Sequence, residues 1–268
     1  MKYKALAFDL DGTLLVGEDL PDRNRVAVRA AYDAGYRVVI ATARWRQMAQ
    51  RIEAQIGISG PAITCSGAQV YCPDVGGDVF DERLPADFTA DLYALCDEDR
   101  CIATVTVGDR VLLKLDGEPD PSQTPEEMHW VRQLTGADDS LPRVAAIQGS
   151  KVNQRIRDEL QPKYRDSVHF FDSIGPTGKV ILTLTASTAS KGDALRAACA
   201  HMNINAAEVV AFGDSENDIE MFRAAGASVA MGQADEKTRA AATTVTAPHD
   251  EAGVAHAVEH LLATGDIV

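Results

Sequence analysis

Positive charge is in short supply in this chain. Its 268 residues hold 26 lysines and arginines against 40 aspartates and glutamates, for a net charge of −14. Nucleic acid and anionic membrane surfaces both need a basic face, so this balance excludes them as main partners. A small anionic ligand would need cations gathered locally. No apolar window reaches about 18 residues, so no transmembrane helix is expected. The first apolar run starts almost at once, leaving no room for a secretory leader, and a cytoplasmic protein is expected. Cysteine is scarce too. Cys65, Cys72, Cys96, Cys101 and Cys199 are odd in number and lack zinc-type pairing, so reduced thiols without a role are expected. Tandem repeats and low-complexity runs are missing, which excludes a solenoid or a disordered tail. The sequence carries no cue to an oligomeric state.

What is present starts with Phe8-Asp9-Leu10-Asp11-Gly12-Thr13. The stretch follows the apolar run Ala5-Leu6-Ala7-Phe8, which reads as a buried strand, and breaks at a glycine. Two carboxylates therefore stand where a strand becomes a loop. In an open α/β sheet, ligands collect beyond the carboxyl ends of the strands, so Asp9 and Asp11 are expected in the crevice. Carboxylates this close repel unless a cation lies between them, and Mg2+ is the natural one, a hard ion that often bridges to substrate phosphate. The fixed positions Asp-x-Asp-Gly-Thr arise by chance about once in 10^5 starting points. A solvated strand-end turn is the plain alternative.

Downstream, Asn24 to Ala34 reads as a helix ending at Gly35, Tyr36 to Ala41 as a strand, and Met48, Ile52 and Ile56 as a helix face ending at Gly57. Ala62 to Cys65 supplies a third strand. The order βαβαβ implies a parallel sheet. Gln69 to Tyr71 and Asp78 to Phe80 are expected to form a hairpin leading out of it.

From about Leu84 that order stops. Ile102 to Val107 and Arg110 to Leu115 flank Gly108-Asp109, the loop of a tight antiparallel hairpin. A helix is expected over Asp87 to Cys96. After the proline-rich link Glu118 to Pro125 we expect a helix over Glu126 to Leu134, a strand over Arg143 to Ile147, a helix over Val152 to Tyr164, and strands over Val168 to Phe171 and Val180 to Thr185. Parallel-sheet order resumes at Ser190-Lys191-Gly192. A helix through Leu195 and Met202 leads to the strand Val209 to Phe212, then Gly213-Asp214-Ser215-Glu216-Asn217-Asp218, and the C-terminal helix Ala252 to Leu262 closes the core. The expected architecture is α/β: a Rossmann-like parallel-sheet core domain over 1–83 and 189–268, with an inserted α+β cap domain over 84–188.

Asp9, Thr42, Lys191 and Asp214 each lie at a strand end or a helix start, so one crevice can gather them. Phosphoryl transfer needs these residue types. A carboxylate nucleophile splits hydrolysis into two easier steps through an aspartyl-phosphate, provided charge on both partners is neutralised. Lys191 and Mg2+ would neutralise it, Thr42 would donate to a phosphoryl oxygen, and Asp11 would act as acid, then base. Asp214 would complete the metal's shell, with Asp218 behind or beside it.

Asp9-Leu10-Asp11-Gly12-Thr13, Ala41-Thr42, Ser190-Lys191-Gly192 and Gly213-Asp214-x-x-Asn217-Asp218 stand in the order and spacing of four motifs. The chain thereby resembles the haloacid dehalogenase-like superfamily, in its Cof-type branch of magnesium-dependent phosphatases, along its whole length. The resemblance implies Asp9 as nucleophile and Asp11 as acid/base. It implies Mg2+ held by Asp9, Asp11 through its carbonyl, and Asp214, with Asp218 as a further candidate ligand. Phosphate would be bound by Thr42, Lys191 and Asn217; Arg44, two residues beyond Thr42, either binds substrate or pairs with the cap. The insertion resembles a C2B-type cap that closes over the leaving group, which favours a small phosphorylated metabolite, sugar phosphates above all. The sequence departs from the pattern at Ala43, where a glycine is usual, and at Ser66-Gly67, where Asn-Gly is usual. Alternative activities are a phosphomutase and a non-catalytic phosphoryl-binding protein; the Asp11 carboxylate argues against the second. Plain readings compete at several residues: a surface lysine at 191, a helix-start carboxylate at Asp218, a solvated helix face for His256 and His260, and surface packing for Trp45 and Trp130.

Overall fold

Four short strands made almost wholly of small and branched apolar residues organise the first half of the architecture. β1 (Ala5–Phe8), β2 (Arg37–Ala41), β3 (Ala62–Thr64) and, much later, β12 (Val209–Gly213) are buried along nearly their whole length. Continuous apolar runs of this kind suit a sheet covered on both faces. The computed structural model describes residues 2–115, 117–120, 122, 124–174 and 180–267. Positions 121 and 123 of the proline-rich link lie outside the described residues.

The chain divides into two compact units, Met1–Asp81 with Ser190–Val268, and Glu82–Ala189. In the first unit, β4 (Gln69–Cys72), β5 (Gly77–Asp81), β13 (Ala227–Ala230) and β14 (Thr244–Val245) complete a sheet ordered β14-β13-β12-β1-β2-β3-β4-β5. Pairing is parallel from β14 to β3 and antiparallel from β3 to β5. The hairpin expected to leave the sheet instead extends it. Strand β3 would otherwise present an unpaired backbone edge, and β4 satisfies it.

Strand alternation splits the core into two layers. Leu6, Phe8, Val38, Ile40, Val210 and Phe212 face one side, where they pack with α1 (Asp22–Asp33), α2 (Arg46–Ile56) and α9 (Gly253–Thr264). Ala5, Ala7, Val39, Ala41, Val209 and Ala211 face the other, against α6 (Lys191–His201) and α7 (Ile219–Ala224). Phe8 and Phe212 stack at 4.6 Å across the neighbouring strands. The chain leaves β3 for one edge and returns through β12 on the other side of β1, so the strand order reverses at the β1/β12 junction. That reversal opens a crevice at the carboxyl ends of the two strands. A short helix, α8 (Glu236–Ala241), lies between β13 and β14.

The second unit holds β6 (Ile102–Val107), β7 (Arg110–Lys114), β8 (Met128–Val131), β9 (Val144–Gln148), β10 (Val168–Ile174) and β11 (Val180–Ala186), ordered β10-β11-β9-β6-β7-β8. One face of this sheet packs on α3 (Ala86–Glu98) and on the helical stretch α4 (Ser150–Arg155), a π turn (Ile156–Leu160) and α5 (Gln161–Tyr164). The helix expected over Glu126 to Leu134 is a correction: Met128–Val131 is β8, paired parallel to β7 from Val111↔Met128 to Lys114↔Val131. The open edge of β7 supplies ladder bonds that outweigh the helix propensity of Glu126-Glu127-Met128. Pro162, near the start of α5, has no N–H for the bond a regular helix would make four residues back, which suits the π turn just before it. Among the described residues no helix is long and apolar enough to cross a membrane.

Candidate active site

The loop after β1 is built to bring carboxylates close to other backbone. The Asp9 N–H donates to the Phe212 carbonyl (3.0 Å), continuing the β1/β12 ladder one residue past the strand. Gly12 then turns with φ +77°, and a Cβ there would stand 2.4 Å from Asp214 Oδ2. No side chain fits at that position. The same holds at Gly213, where a Cβ would lie 2.4 Å from the Asp218 Cγ. Gly12 lets the loop after β1 close on Asp214, and Gly213 lets the turn after β12 fold back on its own Asp218.

Lys191 is the first residue of α6, behind the N-cap Ser190, whose hydroxyl accepts from the Asp193 N–H (3.0 Å). Its side chain is fully buried, contrary to the plain reading of a surface lysine. Its ammonium donates to Asp9 Oδ1 at 2.6 Å and to Asp218 Oδ1 at 2.7 Å. The small faces of Ala5 and Ala7 leave room on this side of the sheet for α6. Asp218, also buried, uses its other oxygen to accept from the backbone N–H groups of Asp214 (3.0 Å) and Ser215 (3.1 Å). Both ends of that carboxylate are therefore engaged, one by an ammonium and one by the turn that carries Asp214. Carboxylate oxygens of Asp9, Asp214 and Asp218 lie within 4.8 Å of one another.

Electrostatics follow from this crowding. Burial pushes Asp9 well above the ordinary carboxylate range; Lys191 opposes that, while Asp218 and Asp214 reinforce it. Asp214 is pushed up to about 6 by burial and then by Asp218, against the pull of Lys191 and of Thr13. Burial works to lower Lys191, but Asp218 and Asp9 outweigh it and the ammonium is held charged. Three carboxylates share one ammonium, and two of them resist ionising. A hard divalent cation with oxygen ligands fits that deficit, and Asp9, Asp214 and Asp218 are the carboxylates that could hold one.

The remaining candidates lie around this cluster. Thr42 is buried just past β2, two residues beyond Ile40, the partner of Phe8. Its hydroxyl accepts from the Arg44 N–H (3.1 Å). The Arg44 guanidinium does not stand free: Nε donates to Asp11 Oδ2 at 2.9 Å and Nη1 to Glu18 Oε2 at 2.7 Å. Asp11, half exposed, is thus tied to Arg44 rather than to the buried cluster. Asn217 lies in the 3-10 turn Glu216–Asp218, its side-chain oxygen accepting from the Ser215 hydroxyl (2.9 Å). Among the described residues His256 and His260 join no metal-ligating set; His256 instead contacts Arg23 on the exposed surface. Sequence reasoning passed over two supports. The Thr13 hydroxyl donates to Asp214 Oδ1 (3.4 Å), and Gln233 Nε2 donates to the Gly12 carbonyl (2.6 Å). Thr13 was visible inside the first motif, whereas nothing in the sequence around Gln233 distinguishes it.

Similarity to known proteins agrees with the geometry. Residues 6–258 match the haloacid dehalogenase-like hydrolase family. Phosphatase YwpJ of Bacillus subtilis is 29% identical over 97% of this chain and 100% of its own length. HMP-PP phosphatase of Serratia proteamaculans is 30% identical, covering 97% of this chain and 96% of that one. The solved structure of a haloacid dehalogenase-like hydrolase from B. subtilis aligns with a TM-score of 0.80 at 26% identity, over 96% of this chain and 99% of the other. With the fold, the motif order and the match all running nearly end to end, this chain belongs to the haloacid dehalogenase-like hydrolases and is a phosphoric monoester hydrolase.

Proposed function

We propose that the protein hydrolyses small phosphorylated metabolites, sugar phosphates favoured, with Mg2+ and through an aspartyl-phosphate on Asp9. One observation carries the reading: a fully buried ammonium 2.6 Å from Asp9 Oδ1, inside a group of three carboxylates. Burying those charges is costly, and a site for a phosphoryl group and a divalent ion explains the expense.

An Asp9 oxygen attacks phosphorus, and the bond from phosphorus to the leaving oxygen breaks as Asp11 gives that oxygen a proton. Water then attacks the acyl phosphate, Asp11 takes the water's proton, and inorganic phosphate departs with Asp9 restored. Lys191 neutralises charge on Asp9 and on the phosphoryl oxygens throughout. Thr42 and Asn217 donate to those oxygens. Arg44 transfers its fork from Asp11 to the phosphoryl group as substrate enters, which frees the Asp11 carboxyl for proton transfer. Asp9 and Asp214 through their carboxylates, and Asp11 through its carbonyl, would hold Mg2+, which would supply charge neutralisation for the transfer. Asp218 serves as the anchor of Lys191 and of the Asp214 turn.

Substrate choice belongs to the second unit, acting as the cap. On its sheet, Thr104 and Thr183, partly exposed, alternate with the core residues Ala103, Val105, Leu182 and Leu184 and offer hydroxyls on the face away from that core. The five cysteines, all buried and unbridged, suit a reducing cytoplasm. The test is a panel of phosphorylated metabolites assayed for free phosphate. Release from small phosphosugars supports the reading; a phosphosugar isomer without free phosphate replaces it with a phosphomutase.

A further inference from the structure

We propose a second cation site, of transition-metal rather than magnesium chemistry, formed by Cys72, Asp74 and His201, with Zn2+ as the ion it fits. Cys72 ends β4, Asp74 lies in the turn between β4 and β5, and His201 is the last residue of α6. The thiol sulfur, a carboxylate oxygen and a ring nitrogen all lie within 4.8 Å of one another. His201 Nε2 is 2.9 Å from Asp74 Oδ2. An exposed aspartate beside a histidine is an ordinary surface pair; a buried thiol turned toward the same point is not. Cys72 and Asp74 are near neighbours in the chain, but His201 joins them from 127 positions beyond Asp74, so chain proximity alone does not account for the meeting.

The donor set decides the metal. One sulfur, one imidazole nitrogen and one carboxylate oxygen suit zinc, while magnesium prefers oxygen alone. Zinc holds such ligands at about 2.0 to 2.3 Å, so they stand about 3.5 Å apart around a tetrahedron. Small side-chain rotations reach that spacing from the present one. Three protein ligands leave the fourth position to water. Asp78, which lies close enough to Cys72 to act on it electrostatically, adds negative charge around the position. A metal here would fasten the β4/β5 turn to the far end of the helix that begins with Lys191.

Cobalt, zinc's spectroscopic stand-in, tests this without reference to catalysis. The full chain, stripped of metal and kept under a phosphine reductant, is titrated with Co2+ and followed by its thiolate-to-cobalt charge-transfer absorption. One equivalent should produce the band, and one equivalent of Zn2+ should remove it. Cys72→Ser should lose the band. His201→Gln, a change at a partly exposed residue, should bind Co2+ at least about 100-fold more weakly while keeping the wild-type circular dichroism. Cys199→Ser and Asp9→Asn should keep the band. No band in the wild-type chain overturns the proposal, as does a band that survives Cys72→Ser or an unchanged affinity in His201→Gln.

Discussion

The two units both bury charge but group it differently. In the first, an ammonium and two carboxylates that are all nearly inaccessible meet at the ends of parallel strands, flanked by backbone N–H donors. In the second, Asp99 is buried, yet its partners Lys151 and Arg155 reach it from the exposed and half-exposed surface. Lys114 and Arg143 are buried there too, donating to the backbone carbonyls of Asp99 and Gly108, beside an apolar cluster around Phe88, Leu92 and Leu184. Parallel strands covered on both faces leave only their ends for chemistry, so charge concentrates there. A sheet covered on one face has a whole surface to vary instead, and its buried charges are dispersed rather than gathered at one point. The contrast makes the first unit's interior answerable to function and the second's to stability.

The most severe way to break this contrast is Asp9→Asn. Turnover should fall about 10^4-fold or more, since an amide is no nucleophile, as single-turnover phosphate release will measure. Folding stability of the metal-free chain should stay within about 1 kcal/mol of wild type, or rise, because a buried carboxylate that resists ionising is removed. A large stability loss would contradict the division of labour. Next in size, EDTA should lower activity at least about 1000-fold, the several kcal/mol expected of a metal at the transferring phosphoryl group, with Mg2+ restoring it; chelator-resistant turnover would exclude the metal from the reaction.

Lys191→Met and Phe88→Ala sharpen the comparison as a pair. Both should cost about 3 to 5 kcal/mol in denaturant melts, the first by stranding two buried carboxylates, the second by emptying a site where Phe88 lies edge-on to Tyr164 and Phe170. Adding Asp218→Asn should recover part of the loss at Lys191, since it removes one stranded charge. Equal recovery in the Phe88→Ala background would show that the effect is not electrostatic. The smallest effect concerns Glu53, whose carboxyl burial alone pushes up to about 7 and whose Oε1 lacks a hydrogen-bond partner. Its folded-state value exceeds the unfolded one, so its protonated form favours folding at low pH and that advantage fades as pH rises from about 4.5 through about 7. Glu53→Gln should therefore match wild type at pH 5 and gain about 1 to 2 kcal/mol at pH 8.

Much of this was legible in the sequence because parallel-sheet units repeat a simple order and their chemistry follows apolar runs. Asp9 after Ala5–Phe8 and Asp214 after Val209–Gly213 are visible for that reason. The same logic failed for Met128–Val131, since an edge strand is specified by a partner distant in sequence and not by its own periodicity. The Arg44 clasp on Asp11 was also out of reach, because a long flexible side chain chooses its partner in three dimensions. Asp218 showed as a carboxylate near a helix start, but its double engagement depends on a lysine 27 positions earlier. Gln233 and the Cys72, Asp74 and His201 meeting came from topology alone.

The position of β1 between β2 and β12 carries a consequence for biosynthesis. A nascent chain emerges amino end first, so one edge of its earliest strand goes without its native neighbour until Val209–Gly213 leaves the ribosome. Until then Asp9 is held by no ammonium and the crevice has only one wall. The second unit, complete by Ala189, can fold before the first one closes around it in sequence. Assembly of the catalytic end is thus a late event, and nascent chains arrested before residue 191 should present a folded insert on an unfinished, inactive frame.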